Sequence, residues 1–153
     1  MKQKLLALSM AVFATSCAQA EATTQIEGEW RTFEIDRNNP TLIEIGYFEG
    51  ESLHGEPYVK CDAGSGWISI SHEITDDFDG TMHLRAGEIG IDLPTVTQEG
   101  LGTTMNAMLP ADHPLMREVA LGRALLIGSL GYAAQTGGER SSIREFIKRC
   151  RID

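Results

Sequence analysis

The sequence predicts an α+β domain: a mainly antiparallel β-sheet or sandwich with one short helix and a C-terminal helix pinned by a disulfide. Three observations carry that prediction. Short runs of alternating apolar and polar residues recur from Glu29 to Leu109, broken roughly every 8–12 residues by Gly, Asn, Asp or Pro. Ile143, Phe146, Ile147 and Cys150 fall at i, i+3, i+4 and i+7, one apolar stripe of a helix whose Arg144, Lys148 and Arg149 point away. Cys61 lies in one of the alternating runs and Cys150 on the helical stripe, so a bond between them would clamp helix to sheet.

Taken in order, residues 21–28 are a short polar lead. Arg31, Phe33 and Ile35 then alternate with Trp30, Thr32 and Glu34, Asn38-Asn39-Pro40 turns the chain, and Ile43, Ile45 and Tyr47 alternate with Leu42, Glu44 and Phe48. This is an opening hairpin. A loop over residues 49–56 leads to extended Tyr58 to Cys61, and Asp62-Ala63-Gly64-Ser65-Gly66 connects tightly to a strand in which Ile68 and Ile70 share a face. Asp76-Asp77-Phe78-Asp79-Gly80 is the next turn. Met82, Leu84 and Ala86 alternate with His83 and Arg85, and Gly87-Glu88 turns into Ile89, Ile91 and Leu93. After Pro94 the pattern loosens into a loop or edge marked by Val96, Gly100 and Gly102, before Met105, Ala107 and Leu109 alternate.

Asp112-His113-Pro114 reads as a helix start, because proline is tolerated in the first turn and Asp112 or His113 can cap it. That helix, over residues 113–121, ends at Gly122. The apolar run 124–127 lacks alternation, as a buried central strand does. Residues 131–138 read as a glycine-rich loop, and the terminal helix over 142–150 starts with Ser142 and Glu145 as a capping box. A helix of about ten residues is marginal in water, so this one requires docking.

Lys2 and Lys4 precede an apolar run over residues 5–16, and Ala18-Gln19-Ala20 offers the small residues of a signal-peptidase site. Residues 1–20 are therefore read as a signal peptide and residues 21–153 as a single domain. The apolar run is too short to be a transmembrane segment. Ala14-Thr15-Ser16-Cys17 is similar to a bacterial lipobox, at which Cys17 would be lipidated. The expected location is periplasmic or secreted, with a lipid anchor through Cys17 as the alternative.

The chain carries 13 Lys and Arg against 22 Asp and Glu, a net charge of −9. Removing residues 1–20 takes away Lys2 and Lys4 and no acid, which leaves 11 bases against 22 acids and a net charge of −11. Such a surface repels phosphate backbones and anionic membranes, which argues against nucleic acid and favours a basic protein or envelope component as partner. Solubility alone is the simpler account of the charge. In an exported chain, Cys61 and Cys150 are most simply one disulfide, with two free thiols or metal ligation as the alternatives. The chain-entropy model assigns about 4.5 kcal/mol to a loop of this length.

No pattern commits the chain to catalysis. His72-Glu73 opens like a zinc-protease helix, but Asp76 stands where the second histidine belongs. Asp76, Asp77 and Asp79 before Gly80 resemble part of a calcium loop, yet Ala86 stands where the final glutamate belongs, and a polar hairpin turn accounts for them. His54, His83 and His113 lack partners at ligand spacing, His113 belonging to a cap. Gly128-Ser129-Leu130-Gly131 is not a nucleophile elbow, since Ile127 stands where its first glycine would be. No cofactor or metal is required.

Trp30, a strand ending in Cys61, the segment Trp67-Ile68-Ser69-Ile70, a helix, the Leu125-Leu126-Ile127 strand, and a final Phe146 and Cys150 together resemble the small two-cysteine periplasmic proteins of the invasion-associated locus B family. That resemblance implies an envelope or host-interaction role and no enzymatic site. Small acidic periplasmic lysozyme inhibitors are similar in compartment, in a strand-borne cysteine and in binding a cationic enzyme. Gly64-Ser65-Gly66 lacks the basic and aromatic residues that should follow in their inhibitory loop.

The functional expectation is a noncatalytic envelope or secreted binding module. Its candidate contacts are Tyr47, Phe48, Trp67, Phe78 and Tyr132, because rings give large contact area for little entropy; a core role is the alternative for each. The alternatives are a lysozyme-inhibitor-like protein, or a small periplasmic hydrolase pairing His72 or His83 with Asp76, Asp77 or Asp79. Intact-mass measurement of the protein recovered from the periplasm should find a chain beginning at Glu21. A lipid-modified Cys17 at the N-terminus would replace that reading with membrane anchorage.

Overall fold

The computed structural model describes residues 23–33, 39–52, 54–74, 78–99 and 102–152. The signal segment with Cys17, and Asp76 and Asp77 of the polar turn, lie outside the described residues. In chain order the elements are β1 (Thr24–Gln25), β2 (Glu29–Thr32), β3 (Leu42–Phe48), β4 (Tyr58–Asp62), β5 (Trp67–Glu73), β6 (Thr81–Ala86), β7 (Ile89–Pro94), β8 (Val96–Glu99), β9 (Thr103–Pro110), α1 (Pro114–Ala120), β10 (Leu125–Ile127), β11 (Leu130–Tyr132) and α2 (Gly137–Cys150). They form a six-stranded sheet ordered β2-β3-β4-β5-β9-β8 and a five-stranded sheet ordered β1-β11-β10-β6-β7. Described strand pairs are antiparallel except β1 with β11. The α+β class predicted from alternation is the class observed.

Period-two alternation decides what each strand buries. Ile43, Ile45 and Tyr47 of β3, Val59 and Cys61 of β4, Ile68 and Ile70 of β5, and Met105, Ala107 and Leu109 of β9 form the inner face of the larger sheet. Met82, Leu84 and Ala86 of β6 with Leu125 and Ile127 of β10 join them in one continuous core. The apolar run 124–127 becomes β10, the middle strand of its sheet, as its lack of alternation predicts. Helix α1 packs on β6 and β7, α2 packs on β2 and β3, and the two helices touch. Among the described residues no helix is long and apolar enough to cross a membrane.

Cys61 and Cys150 are joined, with their Cα atoms 5.8 Å apart. The turn between β4 and β5 also closes the helix end: the Gly64 N–H donates to the Arg149 carbonyl and the Gly66 N–H to the Cys150 carbonyl, each at 2.8 Å. Those carbonyls have no donor within the helix. Gly64 and Gly66 take φ of +70° and +78°, and a Cβ on Gly66 would meet the Ile152 side chain at 2.8 Å, so both positions favour glycine.

Three expectations are corrected. The terminal helix starts at Gly137 rather than Ser142, and its capping box is Thr136 with Glu139: the Glu139 N–H donates to Thr136 Oγ1 at 3.2 Å and the Thr136 N–H to Glu139 Oε2 at 2.6 Å. Gly137 and Gly138 read as loop residues, but they occupy the first helical turn, where the other Glu139 oxygen also accepts the buried Trp30 N–H at 2.9 Å. The tertiary bond offsets what glycine costs a helix. The glycine-rich loop over 131–138 begins within β11, and the polar lead over 21–28 contains β1, which pairs with it. Two- and three-residue strands carry too little alternation to be read locally. Replacing Cys61 and Cys150 together by serine should lower unfolding free energy by about 2–5 kcal/mol, measured by urea denaturation; an unchanged midpoint would show that the helix docks without the bond.

Candidate functional site

His72 is where alternation along β5 places it, facing the core beyond Ile68 and Ile70, and it is 5% exposed. Its Nδ1 lies 2.8 Å from the Glu73 carbonyl, which can only accept, so Nδ1 carries the proton. Nε2 is then the acceptor for the Tyr132 hydroxyl at 2.7 Å. Burial raises the Tyr132 pKa, with Glu56 and Glu49 adding to it, so the phenol stays a donor. Edge-on ring contacts run from His72 to Tyr132 at 5.8 Å, to Tyr47 at 5.3 Å and to Trp30 at 5.5 Å, and the Tyr47 hydroxyl donates to the Ile26 carbonyl. Both nitrogens of His72 are thus occupied by the fold, with Glu56 Oε1 3.5 Å from Nδ1.

His83 projects from the outward side of β6. Its Nδ1 bonds Asp92 Oδ1 at 2.9 Å, and its Nε2 faces Asp79 Oδ2 at 3.6 Å. The bond to Asp92 raises its pKa. The Thr81 N–H and then the charge of His83 hold Asp79 below its ordinary value. Asp79 is the predicted partner; Asp92 is not, because only the β6–β7 register, which sets it directly opposite His83, brings the two together. A cavity of about 310 Å³ is lined by His72, His83, Asp79, Thr81, Ser129 and Phe78. Both His83 nitrogens are turned to carboxylates, which leaves neither directed at Ser129 for general-base work. His113 caps α1, accepting the Leu115 N–H at 3.2 Å.

The inner face of the six-stranded sheet is filled, whereas its outer face is uncovered over β4, β5, β9 and β8. Register aligns Glu44, Lys60, Ser69 and Met108 in one row, and Gly46, Tyr58, Ser71, Asn106 and Val96 in the next. A groove of about 540 Å³ crosses this face and is lined by Glu56, Glu73 and Glu99 with Tyr58, Ser71 and Asn106. The Tyr58 hydroxyl donates to Glu44, and burial, then that carboxylate, raises its pKa. Ser71 donates to Asn106. Acids outnumber bases on the face: Glu29, Glu44, Asp62 and Glu73 stand against Arg31 and Lys60, and Glu56 and Glu99 add two carboxylates to the lining of the groove.

The predicted contact aromatics separate by burial. Tyr47 and Tyr132 are core rings, and Phe48 is roofed by Phe33, whose ring lies 5.3 Å away, and by Arg31. Those three offer no surface to a partner. Phe78 is half-buried beside the histidine cavity, and Trp67 alone of the five is exposed, at 49%. The sequence does not single out Met108, Glu56, Glu73 or Glu99; for Met108 and Glu73 the outward half of the strand alternation is the available signal. Comparison with protein-family models, curated proteins and solved structures finds no match to this chain.

The raised pKa of His83 means that its bond to Asp92 contributes fully below the ordinary value of 6.5 and is lost as pH rises through the higher folded value. In an NMR titration Asp92→Asn should move the His83 midpoint down toward that ordinary value. An unmoved midpoint would show that Asp92 does not hold the proton.

Proposed function

We propose that this protein is an exported, noncatalytic binding module, periplasmic or secreted, that engages a basic protein through the outer face of its six-stranded sheet. The observation that carries the reading is that face, where an open groove of about 540 Å³ is lined by Glu56, Glu73 and Glu99 against Lys60. Carboxylates in a concavity focus potential, raise the encounter rate with a cation and disfavour anionic partners. The excess of acids over the whole chain acts in the same direction. The envelope or host-interaction role implied by the resemblance to the invasion-associated locus B family agrees with this reading, and a lysozyme-inhibitor-like protein would share its partner chemistry. The histidines favour no hydrolytic reading, since His72 is bonded within the core and His83 is held between two carboxylates.

Affinity capture from envelope and host extracts should retain a basic protein at low ionic strength and release it as salt rises, because screening shortens to about 8 Å at physiological strength. The variant Glu73→Gln with Glu99→Gln should capture less at every salt concentration. No retention at low salt, together with hydrolysis of a substrate panel that disappears in His83→Ala, would overturn the proposal.

A further inference from the structure

Three of the large apolar side chains exposed among the described residues, Trp67, Met108 and Val96, lie on this same outer face. Trp67 is 49% exposed and Met108 58%. Trp67 pairs with Pro110 and Ser69 with Met108, so Trp67 and Met108 are diagonal neighbours on adjacent strands, a separation of about 7–8 Å between backbones. Trp67 is also presented rigidly. It follows Gly66, which is bonded to the end of α2, and the Ser65 hydroxyl donates to its carbonyl at 3.1 Å. An exposed indole on an already ordered strand costs little further entropy when a partner covers it.

Three acids lie at the opposite end, while Glu44 shares the row of Met108 and Asp62 follows Lys60 toward the Trp67 end. Glu73 closes β5 and lines the groove with Glu56 and Glu99, while Trp67 opens the same strand. Six steps along a strand span about 20 Å at about 3.3 Å per residue. Between them lie the uncharged Ser69 and Ser71, and Lys60 shares the row of Met108. Lys60 also lines the groove beside Glu56, Glu73 and Glu99, so the two ends differ in their acids and in their exposed apolar side chains, not in the position of the base.

Resting on the proposed function, we infer that recognition here is bipartite. Glu56, Glu73 and Glu99 take a lysine or arginine, and Trp67 with Met108 take an apolar side chain about 20 Å away. The occupant is a basic polypeptide segment that, when extended, carries its apolar anchor about six residues from its cation.

Fluorescence anisotropy with two dye-labelled synthetic peptides tests this. One carries a lysine pair and, six positions on, a tryptophan, joined by Ser and Gly; the other has alanine in place of that tryptophan. At low salt the tryptophan peptide should bind at least about fivefold more tightly. Trp67→Ala should abolish that advantage while leaving the alanine peptide's affinity unchanged, and Met108→Ser, a change at a more exposed position, should reduce it in the same way. Glu73→Gln should weaken both peptides. Equal binding of the two peptides to the unaltered protein, or an advantage that survives both Trp67→Ala and Met108→Ser, overturns the bipartite inference while leaving the acidic face as the docking surface. Failure of both peptides to bind at low salt overturns the acidic-face reading as well. A dimer in sedimentation that Trp67→Ala dissociates would make the occupant a second copy of this chain and likewise overturn the inference.

Discussion

Where the turn over residues 62–66 meets the end of α2, the Cys61–Cys150 bond and two backbone hydrogen bonds from Gly64 and Gly66 close on one short piece of chain. A helix of this length is marginal in isolation. It persists because both ends are tied, the C-terminus by that junction and the N-terminus by Glu139, whose carboxylate accepts the N–H groups of Thr136 and Trp30. Between the ties, Ile143, Phe146 and Ile147 cover the inner side of the β2 and β3 end of the sheet. Freeing either end would expose those side chains and leave a buried N–H or a helix-end carbonyl without its partner, so the covalent and polar attachments act on the same apolar surface.

The junction also bears on function. It orders the strand start at Trp67 and holds the edge of the outer face in place, so a partner would meet a surface whose conformational entropy has already been lost. The face stays open because the two helices and the second sheet all lie on the other side of the six-stranded sheet or beside it. Its acids are spread across strands rather than clustered in one loop, which gives a field over the whole face instead of a single ion site.

Inside the sandwich the column Trp30–Tyr47–Tyr132–His72 joins elements distant in sequence and makes a histidine structural. A buried imidazole with both nitrogens bonded lends specificity to the core, because each lost partner would leave an unsatisfied polar atom in an apolar setting. His83, about half-exposed and between Asp79 and Asp92, is tied to solution pH instead.

Local chemistry determined a great deal of this protein by itself. Alternation identified β3 to β7 and β9, His113-Pro114 and Gly122 bounded α1, and the placement of Cys150 on a helical apolar stripe and of Cys61 in a strand anticipated their bond, because each of these signals lies within a few residues of chain. What tertiary structure decided was everything that depends on register and on distant partners. Thr136 and Glu139 begin α2 because Trp30 offers Glu139 a buried N–H, and β1 exists only because β11 lies beside it. Which rings reach solvent followed the same rule: alternation marks Tyr47 and Trp67 alike as strand residues, but only the packing of a second sheet and a helix on one side settles which face is interior. The half of the pattern opposite to the one that buried Tyr47 left Trp67, Met108 and Glu73 together outside, a grouping that no stretch of sequence contains because β5 and β9 are joined only through their register.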